Sequence, residues 1–422
     1  MKGFIASWFF PPVLSAEGLV TFKLLKNSRN YYDVCSSLSQ QWSYKKEAAL
    51  QSDNINTYYV NTDSIDEWVK QCISIFEMHY KEKKYDFIMT RSMPPESLRI
   101  GLEIKRKYPQ IKWIASFADP IGKNPYELKA YILDNPKIFK SLKRLIIYHP
   151  QKIIPFLKYY PGKELTLLSK LLHLENTAFS IADLYIFPSM DQCLYMLGMH
   201  RFENQKNKCL IIPHSFDKEL YPVPVSPQNK QLSLTYIGYA DNLRSPKNLI
   251  KAVNLIREFN EPLLEKFHLN FIGNIPEDIK NMVYAYFLQD TITISSAVPY
   301  IQSLDIMQEA DWLIHIDAQF SFIPNGSIFF ASKIADYIGA NKPILGLTTS
   351  NSTAAKIINS VGGINASSEN PIEIAKQIIK IICDGKITLN QYEFEKYNAT
   401  ETAKIFDNAL CTWKGNIEEV VI

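Results

Sequence analysis

This sequence predicts an α/β protein of two doubly wound domains, on three observations. Apolar strand patterns alternate with amphipathic helical patterns along most of the chain, which argues for parallel sheets covered on both faces. At 422 residues the chain exceeds what one core ordinarily holds. The pattern also stops and restarts across 216–231, FDKELYPVPVSPQNKQ, a stretch with three prolines and no hydrophobic periodicity. The reading is therefore a first domain over 1–215, a linker over 216–231 and a second domain over 232–391. In the first domain the expected strands are 3–10, 31–37, 56–60, 86–92, 112–118, 182–189 and 209–215, with helices between them such as 64–83 and 96–107. In the second they are 232–239, 267–274, 291–298, 311–318 and 343–349. Two such sheets place ligands at the carboxyl ends of their strands.

Composition narrows the class. Apolar residues make up 46% and charged residues 21%, ordinary for a globular enzyme. The net charge of +3 gives no general affinity for nucleic acid, and no nucleic-acid partner is expected. The six cysteines have neither CxxC nor zinc-finger spacing and read as reduced thiols of a cytoplasmic protein. His149, His173, His200 and His214 lack metal spacing and read as structural, although His214 closes IIPH at the crossover between domains. The opening MKGFIASWFFPP has an apolar run too short for a leader and reads as a buried strand. No transmembrane helix is predicted.

The richest stretch is 327–345, SIFFASKIADYIGANKPIL. An amphipathic helix carries Lys333 and Asp336 three residues apart, then turns into the apolar strand Ile344-Leu345-Gly346-Leu347. The start of such a helix offers free N–H groups to a phosphate. Ser332 adds a hydroxyl, Lys333 a charge and Asp336 an acceptor for ribose hydroxyls. A second basic site opens the same domain, where LTYIGYADNLRSPKNLIKAV runs from a strand into Gly238, then a loop with Arg244, then Lys247 at a helix start.

These residues resemble the donor-site motif of the retaining family 4 glycosyltransferases. A "PSKLFEYLAAGKPI" pattern is matched at Ser332, Lys333, Ile334, Asp336, Tyr337, Ile338, Ala340, Lys342, Pro343 and Ile344. Of two glutamates found in many members, the second falls on Asp336 and the first on Ile328. Gly238 and Lys247 match a strand-end glycine and a helix-start lysine. Tyr239 stands where an arginine is common, with Arg244 as the substitute at hand. The resemblance implies a GT-B fold, in which two Rossmann-like domains face each other across a cleft. It places Val298 and Tyr300 near the nucleobase, and Asn325 and Gly326 (with Asp317) near the donor sugar. It also implies that the last periodic segment, in 392–422, packs back onto the first domain.

In the first domain, Ser15 and Gly18 follow the first strand where relatives carry a glycine-rich turn. Gly18 is read as approaching the donor phosphate. Ser15 is read either as acceptor-side or simply as a helix cap. Arg91 and Asp119 end neighbouring strands and, with His214, form the expected acceptor side. They bind sugar hydroxyls or an anionic acceptor, or pair with each other. Asp119 and Asp336 are the candidate catalytic carboxylates.

The implied activity is transfer of a hexose from a nucleotide diphosphate sugar to a glycan or lipid-linked acceptor hydroxyl with retention, in bacterial surface glycan synthesis. The nucleotide sugar is a co-substrate, and no cofactor or metal is expected. Two alternatives stay open: a silent GT-B module supporting a partner glycosyltransferase, and a sugar-nucleotide epimerase. Residues 136–170 carry eight Lys/Arg against Glu164 alone, interleaved with aromatics, which suits an anionic membrane surface. The expected location is cytoplasmic, with the inner face of the cell membrane as the contact site.

Overall fold

A computed structural model describes residues 1–38, 50–121, 124–125, 162–222, 231–318, 328–385 and 387–412, with the backbone alone for 162–169 and 171. The chain divides into two units. The first takes Met1–Ile212 and the end of the chain from Phe406, and the described residues between 213 and 405 form the second.

In unit 1, β1 (Lys2–Ala6), β2 (Tyr31–Ser37), β3 (Ile55–Val60), β4 (Phe87–Arg91), β5 (Lys112–Ser116), β6 (Leu184–Phe187) and β7 (Cys209–Ile211) form one sheet. Its order is β3-β2-β1-β4-β5-β6-β7, with every neighbour pair parallel. The interleaved helices are α1 (Ala16–Lys26), α2 (Ile65–Lys83), α3 (Ser97–Lys107), α4 (Gly162–Ile181) and α5 (Met190–His200). Ser15, Ser64 and Ser189 cap α1, α2 and α5 by accepting a first-turn N–H, which satisfies donors a helix start leaves open. The core sits between sheet and helices around Phe4, Trp68, Phe76, Trp113 and Phe179, all fully buried.

In unit 2, β8 (Leu232–Ile237), β9 (Phe267–Ile272), β10 (Ile292–Ser295), β11 (Trp312–Ile316), β12 (Ile344–Thr348) and β13 (Ile364–Ser367) form a second parallel sheet, ordered β10-β9-β8-β11-β12-β13. Its helices are α6 (Lys247–Asn260), α7 (Glu277–Ala285), α8 (Tyr300–Glu309), α9 (Ser332–Gly339), α10 (Thr353–Ser360), α11 (Pro371–Asp384) and α12 (Gln391–Phe394). The order reverses between β8 and β11, so the carboxyl ends of those two strands meet at the switch point of the sheet.

The α/β class and both parallel sheets agree with the sequence reading. β13 was not expected: its INAS sequence is short, half polar and at the sheet edge. The linker begins differently from the expectation. Phe216 is buried in unit 2, where its N–H donates to Tyr397 O and its carbonyl accepts from Ala399 N–H. Residues 223–230 of the linker lie outside the described residues.

The last helix, α13 (Ala399–Thr412), belongs to unit 1 from Phe406 onward. Asp407, 2% exposed, anchors it there. One carboxylate oxygen accepts from Ser28 Oγ at 2.5 Å and Asn30 Nδ2 at 2.7 Å, and the other from Arg29 N–H at 2.9 Å. Asp407→Ala strands these donors, and a hydrogen bond to a charged group is worth about 1.5–3 kcal/mol. The expected result is a loss of roughly 3 kcal/mol in the urea unfolding of unit 1. An unchanged midpoint would show that the latch contributes little.

Candidate functional site

The site is built at the switch point of unit 2. β8 ends at Gly238, whose φ of +133 is open only to glycine without strain. The loop that follows is shaped by Asp241, whose Oδ1 accepts from the Leu243 and Arg244 N–H groups at 2.7 Å each. Lys333, in the first turn of α9, lies over this strand end. Its Nζ donates to Ile237 O at 3.3 Å and to Tyr236 Oη at 3.5 Å, and stands 4.7 Å from the centre of the Tyr236 ring. A Cβ added to Gly238 would fall 2.7 Å from that Nζ, so the glycine makes room for the lysine. The N-cap of α9 is Ala331, with no side-chain oxygen to engage the first-turn N–H groups. A helix start without a cap, beside a cation, is a ready anion site.

The electrostatics agree. Burial, and then the positive charge of Arg244, push the Lys333 ammonium down to about 7, against the opposing pull of Asp317 and Asp241. His315 on β11 is fully buried, and neither ring nitrogen has a hydrogen-bond partner. Burial, with Lys333 and Arg244 in support, holds it neutral, well below the usual histidine range. Burial raises the Asp317 carboxyl to about 6, although the Ala318 N–H and the two cations favour its charged form. The cations Arg244 and Lys333 are therefore coupled here to the neutral His315 and the acid Asp317.

Ser332 is half-buried in the same first turn. Asp336 is 7% exposed, and Tyr300 Oη at the start of α8 donates to its Oδ1 at 3.1 Å. Tyr221 Oη donates to the Asp336 carbonyl at 2.8 Å, a second tie to the helix. Burial first, then the Asp336 charge, hold both phenols well above their ordinary range. Lys247 heads α6 but pairs with Asp278 at 2.7 Å, both about half exposed. Such a surface pair is worth at most about 1 kcal/mol and is readily exchanged for another anion. Val298 is half-buried in the turn between β10 and α8. Ile328 lies in a buried run with Phe329 and Phe330. Asn325 and Gly326 lie outside the described residues. His214 falls in unit 2, not the first domain, and packs on Phe330 with ring centres 5.0 Å apart.

Unit 1 answers two readings that the sequence left open. Ser15 Oγ accepts from Gly18 N–H at 3.0 Å, so it is the α1 cap. Gly18 lies against the Phe9–Phe10 backbone, where a Cβ would meet atoms at 3.1 Å, a tight contact that glycine avoids. Arg91 does not pair with Asp119. Its Nη2 grips both Glu17 oxygens at 2.6 and 2.7 Å, and its Nη1 donates to Ser116 Oγ at 2.7 Å. Glu17 lies in the first turn of α1, and the Arg91 guanidinium is buried against it. Asp119 is exposed just past β5. The sequence pattern did not point to the Glu17 grip. It also missed a buried relay below this loop, in which Glu175 accepts from Ile121 N–H at 3.0 Å and meets His200 Nε2 at 2.6 Å.

Among the described residues no group of three His, Cys, Asp or Glu is placed to hold a metal ion. No helix among them is long and apolar enough to cross a membrane. Residues 136–161 of the basic segment lie outside the described residues. A groove of about 590 Å³ on unit 2, lined by Lys251, Asn254, Tyr286 and Glu369, contains none of the residues singled out by sequence.

No family model and no curated protein matches the sequence. Solved structures do match in fold. Sucrose-phosphate synthase from Thermosynechococcus elongatus aligns at a TM-score of 0.64 and 13% identity, over 98% of this chain and 99% of that one. Anabaena HepE in complex with UDP and glucose aligns at 0.58 and 12%, over 99% and 100%. A Listeria monocytogenes protein assigned as a UDP-N-acetylglucosamine 2-epimerase aligns at 0.58 and 11%, over 100% and 99%. The fold is GT-B. Its second unit carries the cationic cluster at the switch point.

Gly238→Ala tests how tightly that cluster is built. The new methyl group meets a strained φ and the Lys333 ammonium together, so a stability loss of at least about 1 kcal/mol is expected. Displacement of Lys333 should appear as a change in its amine reactivity toward acetylating reagents, read by mass spectrometry. A variant as stable as the parent, with unaltered Lys333 reactivity, would contradict the described contact.

Proposed function

We propose that this protein is a retaining glycosyltransferase that moves a hexose from a nucleotide diphosphate sugar to an acceptor hydroxyl. The observation that carries the reading is Lys333. It is a first-turn lysine beside Arg244, with an uncapped helix start and no carboxylate within ion-pair distance among the described residues. Sugar transfer leaves a diphosphate bearing new negative charge. Fixed N–H dipoles and two cations stabilise that charge at its departure, without reorganisation and without a metal ion. The full-length likeness to sucrose-phosphate synthase and to a protein holding UDP and glucose supports a nucleotide-sugar donor.

In this reading Ser332, Lys333 and Arg244 hold the diphosphate, with Lys247 exchanging Asp278 for it and Gly238 giving the approach. Val298 and Tyr300 neighbour the nucleobase, and Asn325 and Gly326 the sugar. Asp336, steadied by Tyr300, takes the ribose. Asp119, exposed at a strand end of unit 1, orients the acceptor hydroxyl or the transferred sugar, with His214 nearby in function. Retention lets the leaving phosphate take the acceptor's proton, so Asp119 need not be a full base. The acceptor is a glycan or lipid-linked sugar of bacterial surface polysaccharide synthesis, met at the inner face of the membrane through 136–170.

Lys333→Ala should weaken nucleotide binding by roughly 1.5–3 kcal/mol, about 10- to 150-fold, in calorimetry with UDP-, GDP- and ADP-sugars. Unchanged affinity would remove the assignment. Asp119→Asn should cut turnover strongly and leave nucleotide affinity near that of the parent. The epimerase among the structural neighbours supports a second reading, isomerisation of the donor. Conversion of a sugar nucleotide with no acceptor present would establish it over transfer.

A further inference from the structure

Lys333 is crowded on every side the described residues show. From β8 come the Tyr236 ring and hydroxyl and the Ile237 carbonyl, which Lys333 shares with Tyr337 Oη of its own helix. From the loop after β8, Arg244 disfavours its charged form and Asp241 favours it. From β11 come the neutral, unpartnered His315 and the buried Asp317. Asp336, one turn further along α9, is bonded to Tyr300 instead. Among the described residues the amine thus has one backbone carbonyl and one phenol as neutral partners, a second cation close by and no carboxylate in contact. Such a site holds its own positive charge poorly until an anion arrives.

We infer that a nucleoside diphosphate enters this site together with a proton, which solvent supplies to the Lys333 amine as the anion binds. The inference rests on the donor-site reading and adds a pH control to it. Linkage sets the sign. The complexed lysine holds its proton to higher pH than the free one, so affinity is full below the free value and falls as pH rises through it. Free Lys333 ionises at about 7, which places the fall above neutrality. At about pH 8 Asp317 is already ionised and His315 already neutral, so neither competes for the proton.

The test is calorimetric titration with UDP-, GDP- and ADP-glucose, whose diphosphate diesters do not titrate here, at about pH 8 in three buffers of different ionisation enthalpy. The slope of observed heat against buffer enthalpy should give uptake on the order of one proton per nucleotide. Affinity should weaken toward about tenfold per pH unit above neutrality. Lys333→Met should bind more weakly with no uptake, and Lys333→Arg, permanently charged, should bind with no uptake. Nucleotide binding by the parent with zero slope, or equal uptake by Lys333→Met, would overturn the inference and leave the donor site standing. Failure of all three nucleotides to bind would overturn the donor-site reading, and this inference with it.

Discussion

An incompletely neutralised positive charge at the switch point of the second sheet is the constraint around which this half of the protein is arranged. Gly238 gives up its side chain so that Lys333 fits against the strand end. The Asp241 turn fixes the backbone at Arg244. His315 stays neutral beneath both. Leaving two buried ring nitrogens without partners costs a protein about 1–3 kcal/mol each. A charged imidazole there would add a third cation to a site that already strains to hold two. Tyr221 and Tyr300 then secure α9 through Asp336, so the helix start that faces the cations is held at its far side.

The first helix of unit 1 is built differently. It carries a carboxylate, Glu17, in its first turn, and Arg91 closes on it. Breaking one side of such a buried pair leaves an uncompensated charge, so Glu17 and Arg91 act as one structural clasp. The two helix starts thus differ in kind. That of α1 is filled by its own side chains, capped by Ser15 and occupied by Glu17. That of α9 is open.

Much of the fold could be read in advance, because parallel strands are apolar on both faces and leave continuous runs that few other elements imitate. The runs Phe87-Ile88-Met89 and Ile344-Leu345-Gly346-Leu347 needed no context. β13 escaped because an edge strand of four residues with Asn365 and Ser367 has no such run. At the site, Lys333, Gly238 and Arg244 could be read because strand-end and helix-start positions are local in sequence. Glu17 with Arg91, Tyr300 with Asp336 and Glu175 with His200 could not. Each pair joins residues 25 to 74 positions apart, and only the packed sheet decides which donor meets which acceptor. His315 was not singled out, and nothing in LIHI announces the two cations that add to burial in holding it neutral.

A crystal structure of the protein with a bound nucleoside diphosphate sugar is the most direct measurement. The account requires diphosphate oxygens within hydrogen-bond distance of Lys333 Nζ and of the Ser332 or Lys333 N–H, with Arg244 turned toward them. A diphosphate seated away from α9, with Lys333 still on Tyr236 and Ile237, would contradict it.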